Sequence, residues 1–255
     1  MSQLLSGAGS GQTKPSAIYA PGNPSLWLRA DTITGITTGS GISSWINIAG
    51  SGGNNAVQTT VGEQPLLQTT GSRKVLEFTS ASSQYLRCST SVFSSKDNRA
   101  MWAVFNSISD GVNAVNCICG ASSGDNANTW FMIQTRTNGG SSGAPYLAGY
   151  AADVGGANFT TEWICGGAIF NKATSVASLR KNGSLINSTL VAYNTVNTDF
   201  LIGRGLAAGI PEFHSGNIGE ILVYGGILPT TAQMEDIERE LCNRWGIVFT
   251  TSAST

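Results

Sequence analysis

Short apolar stretches, separated by residues that favour turns, follow one another along most of the chain. Stretches of this length, bounded by Gly, Pro, Asn, Asp and Ser, are typical of the strands of an antiparallel two-sheet sandwich. The pattern predicts strands at Leu26–Ala30, Ile42–Asn47, Val75–Phe78, Tyr85–Cys88, Ala100–Ser107, Asn116–Cys119, Trp130–Arg136, Tyr146–Tyr150, Glu162–Phe170, Val176–Lys181, Leu185–Val191, Phe200–Gly203 and Ile218–Tyr224.

The stretch Ala100–Ser107 is apolar on both faces. Trp102 and Val104 alternate there with Ala103 and Phe105. Because successive side chains of a strand point to opposite faces, both sides of this strand would need to be covered. The alternation therefore predicts a central strand with packing on each side.

Two local signals predict a hairpin and a helix towards the C-terminus. Asn182-Gly183, between two strand segments, is typical of a two-residue hairpin turn. Thr230 can cap a helix, Gln233 can complete a capping box, and Gly246 can end the helix. Four apolar residues recur at helical spacing and form one stripe: Met234, Ile237, Leu241 and Trp245. The sequence thus predicts an all-β two-sheet antiparallel sandwich with one C-terminal helix.

Composition supports this fold class and excludes several partners. Charged residues make up only 11% of the chain, and Gly, Ser, Thr and Asn, which disfavour helix, take their place. The 14 basic residues are scattered among 15 acidic ones, which argues against binding to nucleic acid or anionic membranes. No apolar run reaches the ~18 residues of a spanning helix. The first residues lack the blocks of an export signal, so we expect synthesis in the cytoplasm without a signal peptide.

Residues 1–24 differ from the rest of the chain. They are rich in Gly, Ser and Pro and lack a periodic apolar pattern, as in an extended arm. We expect this arm, a sandwich domain over residues 25–249 and a tail over residues 250–255. Arms of this kind can lie across a neighbouring subunit, so the expected assembly contacts are the arm's larger apolar residues: Leu4, Leu5, Ile18 and Tyr19.

The five cysteines are an odd and sparse set. Without an export signal, we expect buried thiols that stay reduced. Cys117 and Cys119 would place both thiols on one face of a strand, but no second pair stands at metal-binding spacing. No zinc site is predicted.

The C-terminal third of the chain, with support from upstream segments, resembles a known superfamily. The segments that carry the likeness are Leu179–Gly183, Phe200–Arg204, Phe213–Tyr224, Leu228–Thr230 and Trp245–Ile247, with Leu26–Asp31, Trp45, Gln58 and Val75–Leu86 upstream. They are similar to the concanavalin A-like lectin/glucanase superfamily, in particular its laminin-G-like domains. The resemblance implies a jelly roll of two antiparallel sheets. Domains of this superfamily bind sugars, proteins or calcium, some cleave glycans, and they recur in bacteriophage virion proteins.

Catalytic chemistry finds little support in the sequence. Glycan-cleaving relatives use two carboxylates at a fixed separation, whereas Glu77 and Glu220 stand alone on separate strands. Glu220 matches a recurrent acidic position in the closing strand of the superfamily, and the resemblance implies a structural hydrogen-bonding role for it. The acidic run Glu235–Glu240 falls on the helix and is interpreted as its solvated face. His214, the only histidine, has no nucleophile elbow to serve and is assigned a surface or packing role. We therefore predict no enzyme.

Calcium is the one cofactor that the resemblance leaves open. Some laminin-G-like domains hold it in a rim loop through Asp, Asn and carbonyl oxygens. The nearest match is Asp125, Asn126 and Asn128, with Asp153 and Asp97-Asn98 as further candidates. Tight turns use the same residue types, and we favour the turn.

A sugar site needs an aromatic platform with amides or carboxylates beside it. Trp130 with Asn128, and Tyr146 or Tyr150 near the following loop, are the candidate residues. The other tryptophans stand in apolar segments and are assigned to the core: Trp27, Trp45, Trp102, Trp163 and Trp245.

Three functional hypotheses follow. The favoured one is a non-enzymatic virion protein, a bacteriophage capsid decoration or cement protein that binds neighbouring capsid subunits through its arm and sandwich. A homotrimer is the expected oligomer. The alternative is a carbohydrate-binding lectin or a tail receptor-binding module. The third is a glycoside hydrolase that uses Glu77 or Glu220.

Overall fold

Eighteen strands and one α-helix make up the regular structure that a computed structural model describes, over residues 17–49, 53–88, 92–93, 97–108, 115–122, 128–137, 143–149, 152–156, 161–195, 198–207 and 210–251. The first nine strands are β1 (Leu26–Arg29), β2 (Ser44–Trp45), β3 (Ala56–Val57), β4 (Leu66–Thr70), β5 (Arg73–Phe78), β6 (Leu86–Cys88), β7 (Arg99–Ser107), β8 (Val115–Ala121) and β9 (Phe131–Thr137). The others are β10 (Gly143–Ala148), β11 (Val154–Gly155), β12 (Ile164–Asn171), β13 (Val176–Lys181), β14 (Ser184–Leu190), β15 (Phe200–Ile202), β16 (Arg204–Ala207), β17 (Ile210–Phe213) and β18 (Gly216–Gly225), before α1 (Thr231–Trp245).

Two antiparallel sheets of eight strands form the sandwich. The helix-side sheet has the order β14-β13-β12-β7-β18-β5-β4, and β1 also pairs with β18. The far sheet has the order β11-β10-β9-β8-β15-β6-β3-β2. A separate hairpin, β16–β17, lies against β8. The two-sheet sandwich predicted from the sequence is confirmed. Five of its strands were not predicted, namely β3 and β11, which have only two residues each, and β4, β16 and β17.

Strand β7 has packing on both faces, as the alternation predicts. Ala103 and Phe105 belong to the main core between the sheets. Trp102 and Val104 belong to a second apolar cluster, which α1 covers with Ile237 and other residues of its stripe. The helix therefore completes a second core on the outer face of the helix-side sheet.

The boundaries of α1 follow its capping residues. The Thr230 side chain accepts a hydrogen bond from the Gln233 backbone, and the Gln233 side chain accepts one from the Thr230 backbone. Gly246 ends the helix with φ 67°, a left-handed conformation that favours glycine. The predicted capping box and stop are both confirmed.

A buried carboxylate joins α1 to the sheet. Glu238 is 1% exposed and accepts hydrogen bonds from Trp102 Nε1 at 2.9 Å, Arg180 Nε at 2.7 Å and Arg180 Nη2 at 2.9 Å. Arg180 and Trp102 flank Gly167 on neighbouring strands. A Cβ on Gly167 would lie 3.1 Å from Glu238 Oε1, so the glycine leaves room for the carboxylate. The interpretation of the acidic run as a solvated face is wrong at Glu238.

A buried guanidinium lies in the main core. Arg99 is fully buried, and within the ranges that the structure describes none of its three side-chain nitrogens has a hydrogen-bond partner. Four aromatic rings lie within 6 Å of its Cζ: Phe93, Phe131, Phe170 and Tyr193. Burial lowers the pKa of Arg99 to about 10, so the group stays charged at neutral pH and is held by cation–π attraction.

The described end of the arm packs on its own domain. Ile18 is fully buried in the cluster beneath α1, and its carbonyl accepts a hydrogen bond from Tyr224 Oη. The Ala17 amide donates to Glu240 Oε2. Tyr19 is 40% exposed and contacts Trp27 edge to face. The assembly role predicted for Ile18 is therefore corrected, because its side chain has no surface to offer. Leu4 and Leu5 lie outside the described residues.

All five cysteines are buried and free. The expectation that Cys117 and Cys119 share a face is wrong, because a register shift falls between them in the pairing of β8 with β9. Cys119 faces the main core, whereas Cys117 lies in a small cluster on the other side of the far sheet. The bulge thus separates the two thiols.

Replacing Glu238 by Gln should destabilise the protein by about 3–5 kcal/mol, because the Arg180 charge would stay buried without its partner. Asp236→Asn is the matched control on the same helix, since it breaks an exposed pair with Arg239 worth about 0–1 kcal/mol. Urea unfolding measures both variants. Equal losses of stability in the two variants would contradict the role of Glu238 in joining α1 to the sheet.

Replacing Arg99 by Met should leave the free energy of unfolding unchanged or raise it by up to about 2 kcal/mol, because a desolvated guanidinium with unpaired donors is costly. Arg87→Met, at an exposed site, serves as the control in the same urea titration. A loss of more than about 3 kcal/mol at Arg99 would show that cation–π attraction outweighs desolvation.

Candidate functional site at the end of the helix

A groove lies where the C-terminal end of α1 meets the helix-side sheet. It encloses about 220 Å³ and is lined by Thr70, Gly71, Arg73, Trp163 and Trp245. Two indoles and one cation dominate its wall. Grooves that combine aromatic walls with a few placed polar groups are typical of ligand sites.

Trp245 is fixed in the groove by a second buried carboxylate. Glu220 is 1% exposed and accepts hydrogen bonds from Trp245 Nε1 at 2.8 Å and Trp27 Nε1 at 2.7 Å. Arg244 completes the set as an ion pair with the same carboxylate. The structural hydrogen-bonding role predicted for Glu220 is confirmed. The register shift at Gly219 in β18 brings the Trp245 ring so close that a Cβ on this glycine would lie 2.1 Å from it.

Trp163 forms the outer part of the aromatic wall. Its ring stacks on that of Trp245, with centroids 5.4 Å apart and an interplanar angle of 21°. The side chain is half-buried, and its indole N–H has no partner among the residues that the structure describes. Trp163 was assigned to the core from its apolar neighbours; it packs against the second apolar cluster but is only half-buried, so this assignment holds in part. Its position one residue before β12 was the signal that could have placed it at a sheet end.

Arg73 supplies the one charge among the described residues of the lining. Its Nε donates to the Arg244 carbonyl at 3.0 Å, and its Cζ lies 5.9 Å from the centroid of the Trp245 ring. Across the described part of the chain, neither Nη atom has a hydrogen-bond partner. The guanidinium is thus oriented from one side and leaves its two terminal nitrogens available to a ligand.

A row of polar side chains crosses the sheet beside the groove. Asn217 pairs with Asn106 on one side and with Glu77 on the other, and the pairing of Ile164 with Phe105 brings Trp163 next to Asn106. Asn106 Oδ1 accepts hydrogen bonds from the backbone and side chain of Asn217 at 3.1 and 3.0 Å. Asn106 Nδ2 and Asn217 Oδ1 have no partner among the described residues, so one donor and one acceptor remain.

The aromatic platform predicted near the loops is not assembled. Trp130 is 2% exposed and packs against Cys117 and Met132, so its stacking role is corrected: burial leaves no ring face for a sugar. Tyr146 is half-buried, and the Arg136 guanidinium covers it with Cζ 4.8 Å from the ring centroid. Tyr150 lies outside the described residues.

Asn128 lies in a turn. Its φ of 67° is left-handed, and its carbonyl accepts the Asn194 amide at 2.7 Å. Asp125 and Asn126 lie outside the described residues. Asp153 binds Arg136 and the Gly149 amide. Within the described ranges, no group of three or more His, Cys, Asp and Glu side chains could hold a metal ion.

A polar cluster fastens the β16–β17 hairpin to the far sheet. The Glu212 carboxylate accepts hydrogen bonds from Gln134 Nε2 at 3.4 Å and the Cys117 thiol at 3.5 Å. Burial raises the pKa of Glu212, although these two hydrogen bonds and the charge of Arg136 oppose the rise. His214 follows β17 and is fully buried near Phe78. The packing role predicted for His214 is confirmed.

Comparisons with known proteins identify the fold. No family model and no curated protein matches the chain. Among solved structures it is similar to Trypanosoma rangeli sialidase, with TM-score 0.59 and 11% identity over 86% of this chain and 32% of that one. It is also similar to the botulinum neurotoxin type G receptor-binding domain, with TM-score 0.56 and 14% identity over 86% and 51% of the two chains.

A smaller protein gives a weaker alignment. The CBM40 of Ruminococcus gnavus IT-sialidase, bound to α2,3-sialyllactose, has TM-score 0.43 and 16% identity over 56% of this chain and 83% of its own. At these identities the likeness shows the fold alone. The chain is thus a two-sheet antiparallel sandwich. None of the described helices combines the length and apolar character that a membrane-spanning helix needs.

Adding a methyl group at Gly219 should displace the Trp245 ring. Gly219→Ala is expected to cost about 1–3 kcal/mol of stability through overpacking and to change the intrinsic tryptophan fluorescence of the folded protein. Gly62→Ala is the matched control, because its Cβ would meet open space. Unchanged fluorescence and stability in Gly219→Ala would contradict the described position of Trp245.

Proposed function

We propose that the protein is a non-enzymatic carbohydrate-binding module that holds its ligand in the Trp163–Trp245 groove. The observation that carries this proposal is the half-buried Trp163 ring, stacked on Trp245 and standing beside a row of amide and carboxylate side chains. It supports binding rather than bond cleavage.

The two parts of the site match the two parts of a sugar ring. The C–H groups of a pyranose form an apolar face that packs on an aromatic ring, and the indole offers the largest such surface of any side chain. Hydroxyl groups need directed donors and acceptors. Asn106 Nδ2 and Asn217 Oδ1 supply one of each, and Glu77, which accepts from Gln68 through Oε2 at 2.8 Å, supplies a second acceptor through Oε1.

The carboxylates of the described residues around the groove favour binding without catalysis. Hydrolysis of a glycosidic bond ordinarily requires two carboxyl groups that face the substrate. Glu220 is enclosed by Trp27, Arg244 and Trp245, and the described lining of the groove contains no acid. Glu77 alone could not provide both an acid and a nucleophile or base.

The capsid decoration hypothesis stays a prediction. Its expected contacts at Leu4 and Leu5 lie outside the described residues, and Ile18 is enclosed within its own domain. Tyr19 remains a surface residue that a partner could contact. A receptor-binding module of a larger assembly would be compatible with the groove, because recognition of a surface glycan requires the same site.

Replacing Trp163 by Ala should weaken glycan binding at least tenfold, since a central aromatic contact commonly contributes more than about 1–2 kcal/mol. The measurement is binding of purified protein to a glycan array, followed by titration with the best ligand. Leu190→Ala, a large apolar residue that is 76% exposed elsewhere on the sheet, controls for loss of surface apolar area.

Three results would count against the groove. One is a blank array with folded wild-type protein. Another is binding that Trp163→Ala retains in full. The third is turnover of a polysaccharide that Glu77→Gln abolishes, which would revive the hydrolase hypothesis.

A further inference from the structure

We propose that the groove selects a sugar ring that carries a carboxylate, so that the ligand class is acidic rather than neutral glycan. This inference rests on the proposed function and deepens it. It comes from a different observation, the guanidinium of Arg73 at one end of the groove.

Arg73 is arranged to receive an anion. Its Nε is already committed to the Arg244 carbonyl at 3.0 Å, and its plane is supported by Trp245. The two Nη groups, which have no partner among the described residues, remain as a fork that matches the two oxygens of a carboxylate. A guanidinium ordered in advance loses little entropy when it binds.

The charge around the fork is positive. The neighbouring Arg244 is balanced by Glu220 and Glu240, so it neither competes for the ligand nor adds a free charge. Among the lining residues that the structure describes, Arg73 is the one charged group. An anion at this end therefore meets one cation and no carboxylate in the lining.

Size and polarity give the ligand an orientation. The volume of about 220 Å³ is below the usual 300–1,000 Å³ of drug-sized pockets, which suits one terminal ring. Its carboxylate would lie at Arg73, its apolar face on Trp163, and its hydroxyls towards Asn106 and Asn217. Glu77 stands on the hydroxyl side, four residues from Arg73 along β5.

Matched sugar pairs test this orientation. Methyl β-D-glucuronide and methyl β-D-glucoside differ only in a carboxylate against a hydroxymethyl group, and sialyllactose and lactose extend the comparison to a second acidic sugar. Titration by NMR or calorimetry should show at least one acidic sugar binding about tenfold or more tightly than its neutral partner, as expected for a charge-assisted pair. Added salt should reduce only this preference.

The variants separate the inference from the proposed function. Arg73→Gln should remove the preference, so that the acidic and the neutral sugar of a pair bind equally, whereas Arg73→Lys, with a point charge in place of a fork, should keep part of it. Thermal unfolding confirms that each variant is folded. Trp163→Ala should weaken both members of a pair.

Each outcome has a defined consequence. Equal binding of the acidic and neutral sugars that still depends on Trp163 overturns the inference and keeps the proposed function. An acidic preference that survives in Arg73→Gln also overturns it. If neither the pairs nor an array of neutral and acidic glycans gives Trp163-dependent binding, the proposed function falls and the inference with it.

Discussion

A buried carboxylate is stable only when donors fully surround it, and this constraint organises one whole side of the molecule. Glu238 and Glu220 each meet an indole N–H and an arginine. The directional hydrogen bonds of these two carboxylates fix both the position and the rotation of α1 on the sheet. Apolar packing alone would define the position of the helix less tightly. Gly167 leaves room for the Glu238 carboxylate, and Gly219 leaves room for the Trp245 ring.

The groove is a consequence of how α1 is held. Because Glu220 binds the last residue of the helix, the Trp245 ring lies flat over β18 and forms a base for Trp163. The helix ends at Gly246, and farther along the sheet Asn217 and Asn106 are only partly buried among the described residues. The helix α1 thus covers the second apolar cluster, and the groove lies at the C-terminal end of the helix.

Sequence patterns predicted the architecture because they depend on local physics. Alternation in β7, the Asn182-Gly183 turn and the Thr230 cap each express preferences of a few neighbouring residues. The groove could not be predicted in the same way, since Trp163, Arg73 and Trp245 are far apart in the chain and meet only through sheet order. Trp130 and Trp163 both follow loops, and only tertiary packing decides which one is buried.

The burial of charged residues also depends on contacts between residues that are far apart in the chain. Glu238 stands in an acidic run that resembles any solvated helix face, yet one turn of the helix brings it over Gly167. The residues around Glu238 do not indicate that its carboxylate is buried. The burial is possible because Gly167, about 70 residues earlier in the chain, has no Cβ. Glu220 differs, because its structural role was predicted from the resemblance of the closing strand to the superfamily and not from the local pattern.

The most direct test of the account is to observe the tryptophan side chains while a glycan binds. The six indole N–H groups can be assigned in ¹H–¹⁵N NMR spectra by single Trp→Phe substitutions and then followed during titration with a glycan retained on an array. The account predicts that the signals of Trp163 and Trp245 shift while that of Trp130 stays still. A shift centred on Trp130, or glycan binding that leaves the Trp163 signal unmoved, would contradict it.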